Sequence, residues 1–431
     1  MSHINGEKSS NLFEKFLYSP KYSLSNSTTW TTLLLILFVC SVAFQITAAM
    51  SLFSFILLVL SIFIACRNKN LAISRIWVDY PVVLFSSLIL ILLALGCFYS
   101  PVSLHESVAR FSKYSKFVLI PVLIFLFRVE GVKSLSLLIF NVSMSVILFL
   151  IYLKFYFHFS INPSAPSDVV VASHISQAIL FSFFFYIMAV NAIYKPKKII
   201  YTLLLLFTLW FMLFMNSGRT GLVILFFQSC YLLYRLYFRN KSLLIFILLS
   251  LNVFSVSLLV THNPISEKIA RVKNNITKYS DGSSHTSAGL RLEFYETTLR
   301  IIKHKSGFLH WIFGIGTGSF TSEYQNFFDQ YQSQYHLSVA THNPHNQYLE
   351  ILFEIGLLGL ISLFALYASI WFFSGNSLSL SEYYSKGLAI SLVVDSCLNS
   401  TLMDHGTGMF YVLFIAMFAV SKNRKTALEN C

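Results

Sequence analysis

Residues 342–373 read HNPHNQYLEILFEIGLLGLISLFALYASIWFF, a short polar stretch that leads directly into an apolar run. A helix needs about 20 apolar residues to cross the hydrocarbon core of a bilayer. The run from 347 to 373 is long enough, and Glu350 and Glu354 are its only charged residues. It therefore predicts a membrane-spanning helix with histidines immediately before its start.

The composition extends this conclusion to the whole chain of 431 residues. Apolar residues make up 56% and charged residues 11%, whereas a soluble domain carries about 25% charged residues. So few charged groups cannot cover the surface of a soluble protein of this size, which excludes a soluble enzyme. The net charge of +13 fits basic cytoplasmic loops or a site for an anionic substrate, and no nucleic acid partner is expected.

Apolar runs recur along the chain and predict an all-α integral membrane protein with about twelve spans. Basic residues concentrate in every second gap between the runs, which places both termini in the cytoplasm. The cysteines form no readable disulfide framework, and the first run has no cleavage pattern, so it is read as a retained helix. The spans lie near 29–49, 50–66, 78–98, 117–128, 134–157, 170–193, 199–216, 220–237, 242–260, 347–373, 386–403 and 407–421.

One long hydrophilic segment interrupts the runs on the outer face. Within it, 280–287 has the composition of a flexible turn, and 288–305 has helical spacing. The fourth span is short, and the amphipathic stretch before it, with Arg110, Lys113 and Lys116, is a candidate to complete it. The expected divisions are a cytoplasmic segment 1–28, nine spans in 29–260, an outer loop 261–346, three spans in 347–421 and a cytoplasmic tail 422–431.

Arg219 lies in NSGRTG, residues 216–221, a turn so short that it must lie at the outer membrane boundary. A guanidinium that faces a cavity there binds phosphate oxygens with two hydrogen bonds, which lysine cannot do. Gly218 and Gly221 would permit close approach of a bulky ligand. The alternative is an interfacial arginine that reaches the lipid headgroups.

Arg291 lies in the first turn predicted for the loop helix, within GLRLE, residues 289–293. A helix N-terminus offers free N–H groups and a partial positive charge, so the arginine would strengthen an anion site. The alternative is that Arg291 pairs with Glu293, Glu296 or lipid headgroups.

Residues 313–320, FGIGTGSF, have a glycine pattern but lack the strand and helix that flank a dinucleotide site. A tight turn is the better interpretation.

His345 is the strongest candidate for a catalytic group, because a histidine at the mouth of a membrane cavity can accept a proton from a sugar hydroxyl. His342 and His345 could instead bind a metal, but no third ligand follows at helical spacing. A structural His345, hydrogen-bonded at a helix start, is the other alternative. His174, at the outer start of the sixth span, could line the same cavity as Arg219.

Ionisable residues within the apolar runs are functional candidates because burial of charge in lipid is costly. Lys154 and Asp395 could form an ion path, which keeps a transporter as a remote alternative. Glu354 is interpreted as a helix-packing partner. Asp79 and Asp404 complete this set.

Taken together, the motifs resemble the superfamily of O-antigen ligases and O-antigen polymerases. The resemblance rests on NSGRTGL with Arg219, on GLR ending at Arg291 followed by GIGTG, and on HNQYLEILFEIGLLG from His345 to Gly359. It implies a GT-C class architecture and an inverting, metal-independent glycosyl transfer on the periplasmic face of a bacterial inner membrane, without a cofactor. The outer loop is then periplasmic.

The resemblance also implies roles for particular residues. Arg219 and Arg291 would bind the donor diphosphate, and His345 would activate the acceptor hydroxyl. The first expectation is an O-antigen ligase that moves a glycan from undecaprenyl diphosphate to a lipid A core; an O-antigen polymerase and a protein O-oligosaccharyltransferase are the alternatives. The expected partners are the lipid-linked glycan, the lipid A core and membrane lipids. Candidate cavity-lining residues are His174, His342, Asn346 and Gly218.

Overall fold

The computed structural model describes residues 26–67, 77, 79–129, 131–158, 169–171, 173–196, 198–239, 287–305, 307–335, 337–372 and 379–420. Within these ranges every regular element is helical, as the apolar runs predict. The predicted ninth span, 242–260, lies outside the described residues, as does most of the predicted turn at 280–287.

The helices are numbered here in chain order. They are α1 (Asn26–Ala43), α2 (Thr47–Arg67), α3 (Pro81–Tyr99), α4 (Leu104–Ser112), α5 (Leu119–Phe127), α6 (Val132–Phe157), α7 (His174–Tyr194), α8 (Lys198–Trp210), α9 (Arg219–Arg239), α10 (Ser287–His304), α11 (Phe308–Phe313), α12 (Phe320–Tyr335), α13 (Gln347–Phe372), α14 (Leu380–Leu398) and α15 (His405–Ala419). A 3-10 turn (Ser115–Val118) precedes α5, and a π-helical turn (Phe211–Met215) extends α8.

Six of the described helices are long and apolar enough to cross a membrane, which indicates a multi-pass membrane protein. Four further apolar helices are shorter, and α14 carries Glu382, Lys386 and Asp395. The count of twelve spans stays a prediction. The six long segments are Pro81–Tyr99, Val132–Phe157, His174–Tyr194, Lys198–Met215, Arg219–Phe238 and Gln347–Phe372.

Several predicted boundaries differ from the structure by a few residues, and two of the differences have a local cause. The first two spans divide at 44–46, where Gln45 has a φ of 53°, rather than at 49–50. The amphipathic stretch extends the fourth span only by the 3-10 turn Ser115–Val118, which contains Lys116. Its earlier part, with Arg110, forms the separate helix α4, because Ser103 and Glu106 make a capping box that starts a helix there.

The core lies around α7 and α15, which are buried along almost their whole length. Such all-round apolar helices are stable only when other helices surround them. Phe183 of α7 packs edge-on against Phe410 and Phe414 of α15. The outer helices α6, α8 and α9 bury a much smaller part of their surface.

α13 is interrupted at Gly356, whose φ of 68° and ψ of −162° are not helical. The break lets the backbone of the glycine turn pair with α13: Ile315 N donates to Phe353 O at 2.8 Å and Gly316 N to Glu354 O at 3.0 Å. A Cβ on Gly356 would lie 2.3 Å from Ile312 O. The tight turn predicted for 313–320 is confirmed, with positive φ at its three glycines.

Candidate active site

His345 lies in the loop that precedes α13 and is held from several sides. Its φ of 54° is uncommon for a residue with a side chain. Its N–H donates to Asn343 Oδ1 at 2.7 Å, and the same oxygen accepts from Ser400 Oγ at 2.5 Å. The imidazole stacks on Phe294 of α10, and Tyr295 OH donates to the His345 carbonyl at 3.1 Å. Strained backbone that is held in this way is found most often at functional sites.

Asn346 starts α13. Its Oδ1 accepts from the N–H groups of Tyr348 and Leu349, at 3.0 and 3.1 Å, which satisfies two otherwise unpaired donors of the first turn. Its Nδ2 donates to Cys397 O at 3.1 Å. The amide thereby fixes the histidine loop to the end of α14.

Arg291, in the first turns of α10, faces Asn399. Arg291 Nη2 donates to Asn399 Oδ1 at 3.4 Å. The acids considered as its partners bind elsewhere: Glu296 pairs with Arg300 at 2.5 Å, and Glu293 Oε1 accepts from Ser338 N at 2.8 Å. The guanidinium therefore points to the end of α14.

The environment of His345 favours the neutral imidazole. Burial lowers the pKa of His345 from its ordinary value, and the positive charge of Arg291 lowers it further. A neutral imidazole has a free lone pair on one nitrogen. The side chain can therefore accept a proton at neutral pH.

Asn399 connects the two predicted arginine positions. Its Nδ2 donates to Asp395 Oδ1 at 2.7 Å and to Thr220 Oγ1 at 3.4 Å. Thr220 follows Arg219, so the start of α9 and the start of α10 share one amide. Because a carboxylate accepts but does not donate, Asp395 orients the amide so that its oxygen faces Arg291.

Asp395, which was considered as part of an ion path, accepts hydrogen bonds from three side chains. Besides Asn399, Thr401 Oγ1 and Tyr411 OH donate to its Oδ2, at 2.6 and 3.1 Å. Lys154 Nζ donates to Val169 O at 2.8 Å. The hydrogen bonds of Asp395 indicate that it stabilises the end of α14.

The start of α9 packs closely on the start of α7. A Cβ on Gly218 would lie 2.6 Å from His174 O, and one on Gly221 would lie 2.5 Å from Ala178 O. The close approach that these glycines permit is that of the α7 backbone, where the sequence suggested a ligand. Arg219 is half-buried, and His174 is exposed at the same end of the bundle.

Arg110 is a functional candidate that the sequence motifs did not identify. It is buried in α4 and pairs with two fully buried carboxylates, Glu350 at 3.3 Å and Glu354 at 2.8 Å. Its Nη2 also donates to His342 O at 3.3 Å, while the His342 side chain is exposed. The interpretation of Glu354 as a packing partner agrees with this pairing.

The structure thus brings His345, Arg291 and the start of α9 to one end of the bundle. Asn399, Tyr295 and Arg110 were missed because their partners are distant in sequence. The signal for Asn399 was its position four residues after Asp395, at the end of an apolar run. Among the described residues, no three His, Cys, Asp or Glu side chains are grouped so that they could hold a metal ion.

The comparison with protein families supports the resemblance. Residues 203–364 match a family model described as O-antigen ligase. The matched segment contains Arg219, Arg291 and His345, whereas Asp395 and Asn399 lie beyond it. No curated protein matches the chain. The match to residues 203–364 therefore supports the resemblance of this chain to the superfamily of O-antigen ligases and O-antigen polymerases.

Proposed function

We propose that this protein is an O-antigen ligase that transfers a glycan from undecaprenyl diphosphate to a sugar hydroxyl of a lipid A core. The observation that carries the proposal is Asn399, which bonds both Arg291 and the neighbour of Arg219, beside His345. The reaction takes place on the periplasmic face of the bacterial inner membrane, in a GT-C class bundle of twelve spans with both termini in the cytoplasm.

Arg219 and Arg291 bind the donor diphosphate. Negative charge grows on the leaving diphosphate as the bond to the anomeric carbon breaks. Two guanidinium groups that are already in position stabilise this charge and lower the barrier by several kcal/mol. The donor linkage supplies the free energy of the transfer, so the reaction uses no nucleotide, and the two guanidinium groups stabilise the diphosphate charge in place of a metal.

His345 acts as the general base. The acceptor hydroxyl oxygen attacks the anomeric carbon from the face opposite the diphosphate and loses its proton to the imidazole. The bond from the anomeric carbon to the phosphate oxygen breaks, and the diphosphate leaves with the electron pair. One displacement of this kind inverts the anomeric centre.

Tyr295 and Asn399 are positioning residues. Tyr295 OH lies within hydrogen-bond distance of both His345 O and Cys397 O and can donate to either, and Asn399 orients Arg291. They hold His345, which precedes α13, and Arg291, on α10, in a constant arrangement relative to each other. Such preorganisation means that little reorganisation accompanies the chemical step.

A deletion strain distinguishes the ligase from its relatives. Loss of the ligase should leave lipopolysaccharide without polymer while undecaprenyl-linked polymer accumulates. A core capped by a single repeat unit would identify the O-antigen polymerase instead. Unchanged lipopolysaccharide together with unglycosylated pilin would identify a protein O-oligosaccharyltransferase.

Reconstitution tests the reaction directly. The purified protein should transfer the glycan from undecaprenyl diphosphate to lipid A core in the presence of a metal chelator. Failure to transfer with donor and core both present would contradict the proposal, and loss of transfer on chelation would contradict its metal-independent form.

A further inference from the structure

The short helix α11 carries apolar side chains that no other part of the described chain covers. Phe308 is 79% exposed and Leu309 is 65% exposed, and Trp311 and Phe313 are also exposed. A contiguous apolar surface of this kind is unfavourable in water and marks an interaction surface. The sequence had assigned this segment to the hydrophilic outer loop.

The glycine turn that follows α11 lies alongside a candidate span, not beyond its end. Thr317 N donates to Gly96 O at 3.1 Å, and Thr317 Oγ1 donates to Leu93 O at 2.7 Å. Leu93 precedes Tyr99, the last residue of α3, by about 9 Å at the rise of an α-helix. Tyr99 OH donates to Phe313 O, which ties α11 to the end of the same span.

Contacts with α13, a second candidate span, give the same depth for the glycine turn independently of α3. Ile315 N donates to Phe353 O in α13. Phe353 follows Gln347, the first residue of α13, by about 9 Å on the same basis. The turn is therefore below the ends of both α3 and α13.

The backbone of this turn satisfies the condition that a membrane imposes. Non-helical backbone at membrane depth is tolerated where it is enclosed in protein and its polar groups are paired. Residues 314–317 are buried. The N–H groups of Ile315, Gly316 and Thr317 bond backbone carbonyls, and Gly318 N donates to Glu354 Oε1 at 3.3 Å.

We propose that residues 308–318 form a re-entrant element, in which α11 lies in the lipid leaflet at the active-site end of the bundle. The occupant of the exposed apolar surface is the bilayer itself. The glycine turn behind α11 is enclosed between α3 and α13, and Tyr99 and Trp311 are residues of the type that is enriched at the membrane interface. This inference does not depend on glycosyl transfer.

Thiol labelling tests the position of α11. Leu309→Cys, and Ser333→Cys on the exposed face of α12 as the control, are introduced separately into a full-length chain whose six natural cysteines have been replaced by alanine. Each is placed in nanodiscs of phosphatidylethanolamine and phosphatidylglycerol, where water reaches both faces. A membrane-impermeant maleimide should label Leu309→Cys at least about tenfold more slowly than Ser333→Cys, because apolar surroundings suppress the reactive thiolate.

Labelling of both variants after denaturation in detergent shows that both thiols are intact. Equal rates in nanodiscs would overturn the proposal, because the described part of the chain leaves the Leu309 side chain largely uncovered and the proposal requires lipid to protect it.

Trp311 gives a second measurement that needs no cysteine variant. The fluorescence difference between the unmodified chain and Trp311→Phe isolates the signal of Trp311 from the four other tryptophans. Brominated phosphatidylcholine in the vesicle should quench this difference signal, and aqueous iodide should not. Quenching by iodide alone would place α11 in water and overturn the proposal.

Discussion

Asn399 Oδ1 lies 3.4 Å from Arg291 Nη2, and the amide that carries this oxygen is oriented by Asp395. A neutral acceptor holds the guanidinium in place without cancelling its charge. A carboxylate at the same position would bind the arginine more strongly and compete with an anionic ligand. The relationship therefore keeps Arg291 ordered and leaves its charge available to an anionic ligand.

Asn399→Asp should weaken donor binding. The new carboxylate would compete with the diphosphate for Arg291 and would lie beside Asp395, so the donor KM should rise by at least about tenfold. Asn326→Asp adds the same charge on the exposed face of α12 and should leave KM unchanged. Steady-state kinetics with the undecaprenyl diphosphate glycan measures both. An unchanged KM in Asn399→Asp, with Arg291 essential, would show that Asn399 does not position the arginine.

Arg219→Lys and Arg291→Lys should each lose most of the transfer activity, by about 10²-fold, because lysine cannot reproduce the planar pair of donors toward the diphosphate. Arg300→Lys is a matched control on α10, since Arg300 is paired with Glu296 at the surface. It should retain normal turnover. Equal activity of all three variants would show that Arg219 and Arg291 do not bind the donor diphosphate.

His345→Ala should abolish turnover and leave donor binding intact, because the general base is lost while the arginines remain. His342→Ala is the control, since the His342 side chain is exposed and only its carbonyl contacts Arg110. Single-turnover transfer and binding of radiolabelled donor separate the two effects. Unimpaired transfer by His345→Ala would exclude it as the base.

The pH dependence of kcat/KM should report the state of His345. The base must be neutral, so activity should rise with pH through the pKa of His345 and level off above it. Burial and the charge of Arg291 lower this pKa, so the midpoint should lie below 6.5. In Arg291→Gln the repelling charge is gone, and the midpoint of the residual activity should move to higher pH. A midpoint that stays in place would show that another group titrates.

Arg110→Ala should destabilise the fold, because it leaves the buried carboxylates of Glu350 and Glu354 without a counter-charge. Breaking a buried ion pair on one side costs about 3–5 kcal/mol. Lys113→Ala, at an exposed position of the same segment, is the control. Thermal unfolding in detergent should give a lower Tm for Arg110→Ala and an unchanged Tm for Lys113→Ala. Addition of Glu350→Gln and Glu354→Gln to Arg110→Ala should restore part of the lost Tm. Equal Tm values would contradict the structural role of this cluster.

Much of the fold could be predicted from the sequence because a bilayer imposes a simple local rule. The apolar runs near 134–157 and 347–373 correspond to α6 and α13 within a few residues. The ends of helices were less predictable where a local capping motif, and not the hydropathy of the sequence, decides where a helix begins. The capping box at Ser103 made a separate helix of the earlier part of the stretch that was a candidate to extend the fourth span.

The candidate site was predicted only as separate motifs. Arg219 and His345 were recognised because each borders an apolar run, and Arg291 because it lies in the first turn of the predicted loop helix. Of the residues that connect them, Asn399 lies at the end of an apolar run but was not singled out, and Tyr295 carries no local signal of this kind. Their hydrogen bonds join segments of chain that are far apart, so a search along the sequence does not find them.

The sequence by itself determined that the chain needs a bilayer as its solvent. The apolar content and the lengths of the apolar runs are properties of the sequence and do not depend on how the helices pack. Only the tertiary structure decided that Arg110 pairs with Glu350 and Glu354, that Asn399 orients Arg291, and that the glycine turn lies between α3 and α13. Each of these relationships pairs a polar group with a partner from another helix. In a low-dielectric interior such pairs are specified by the geometry of packing.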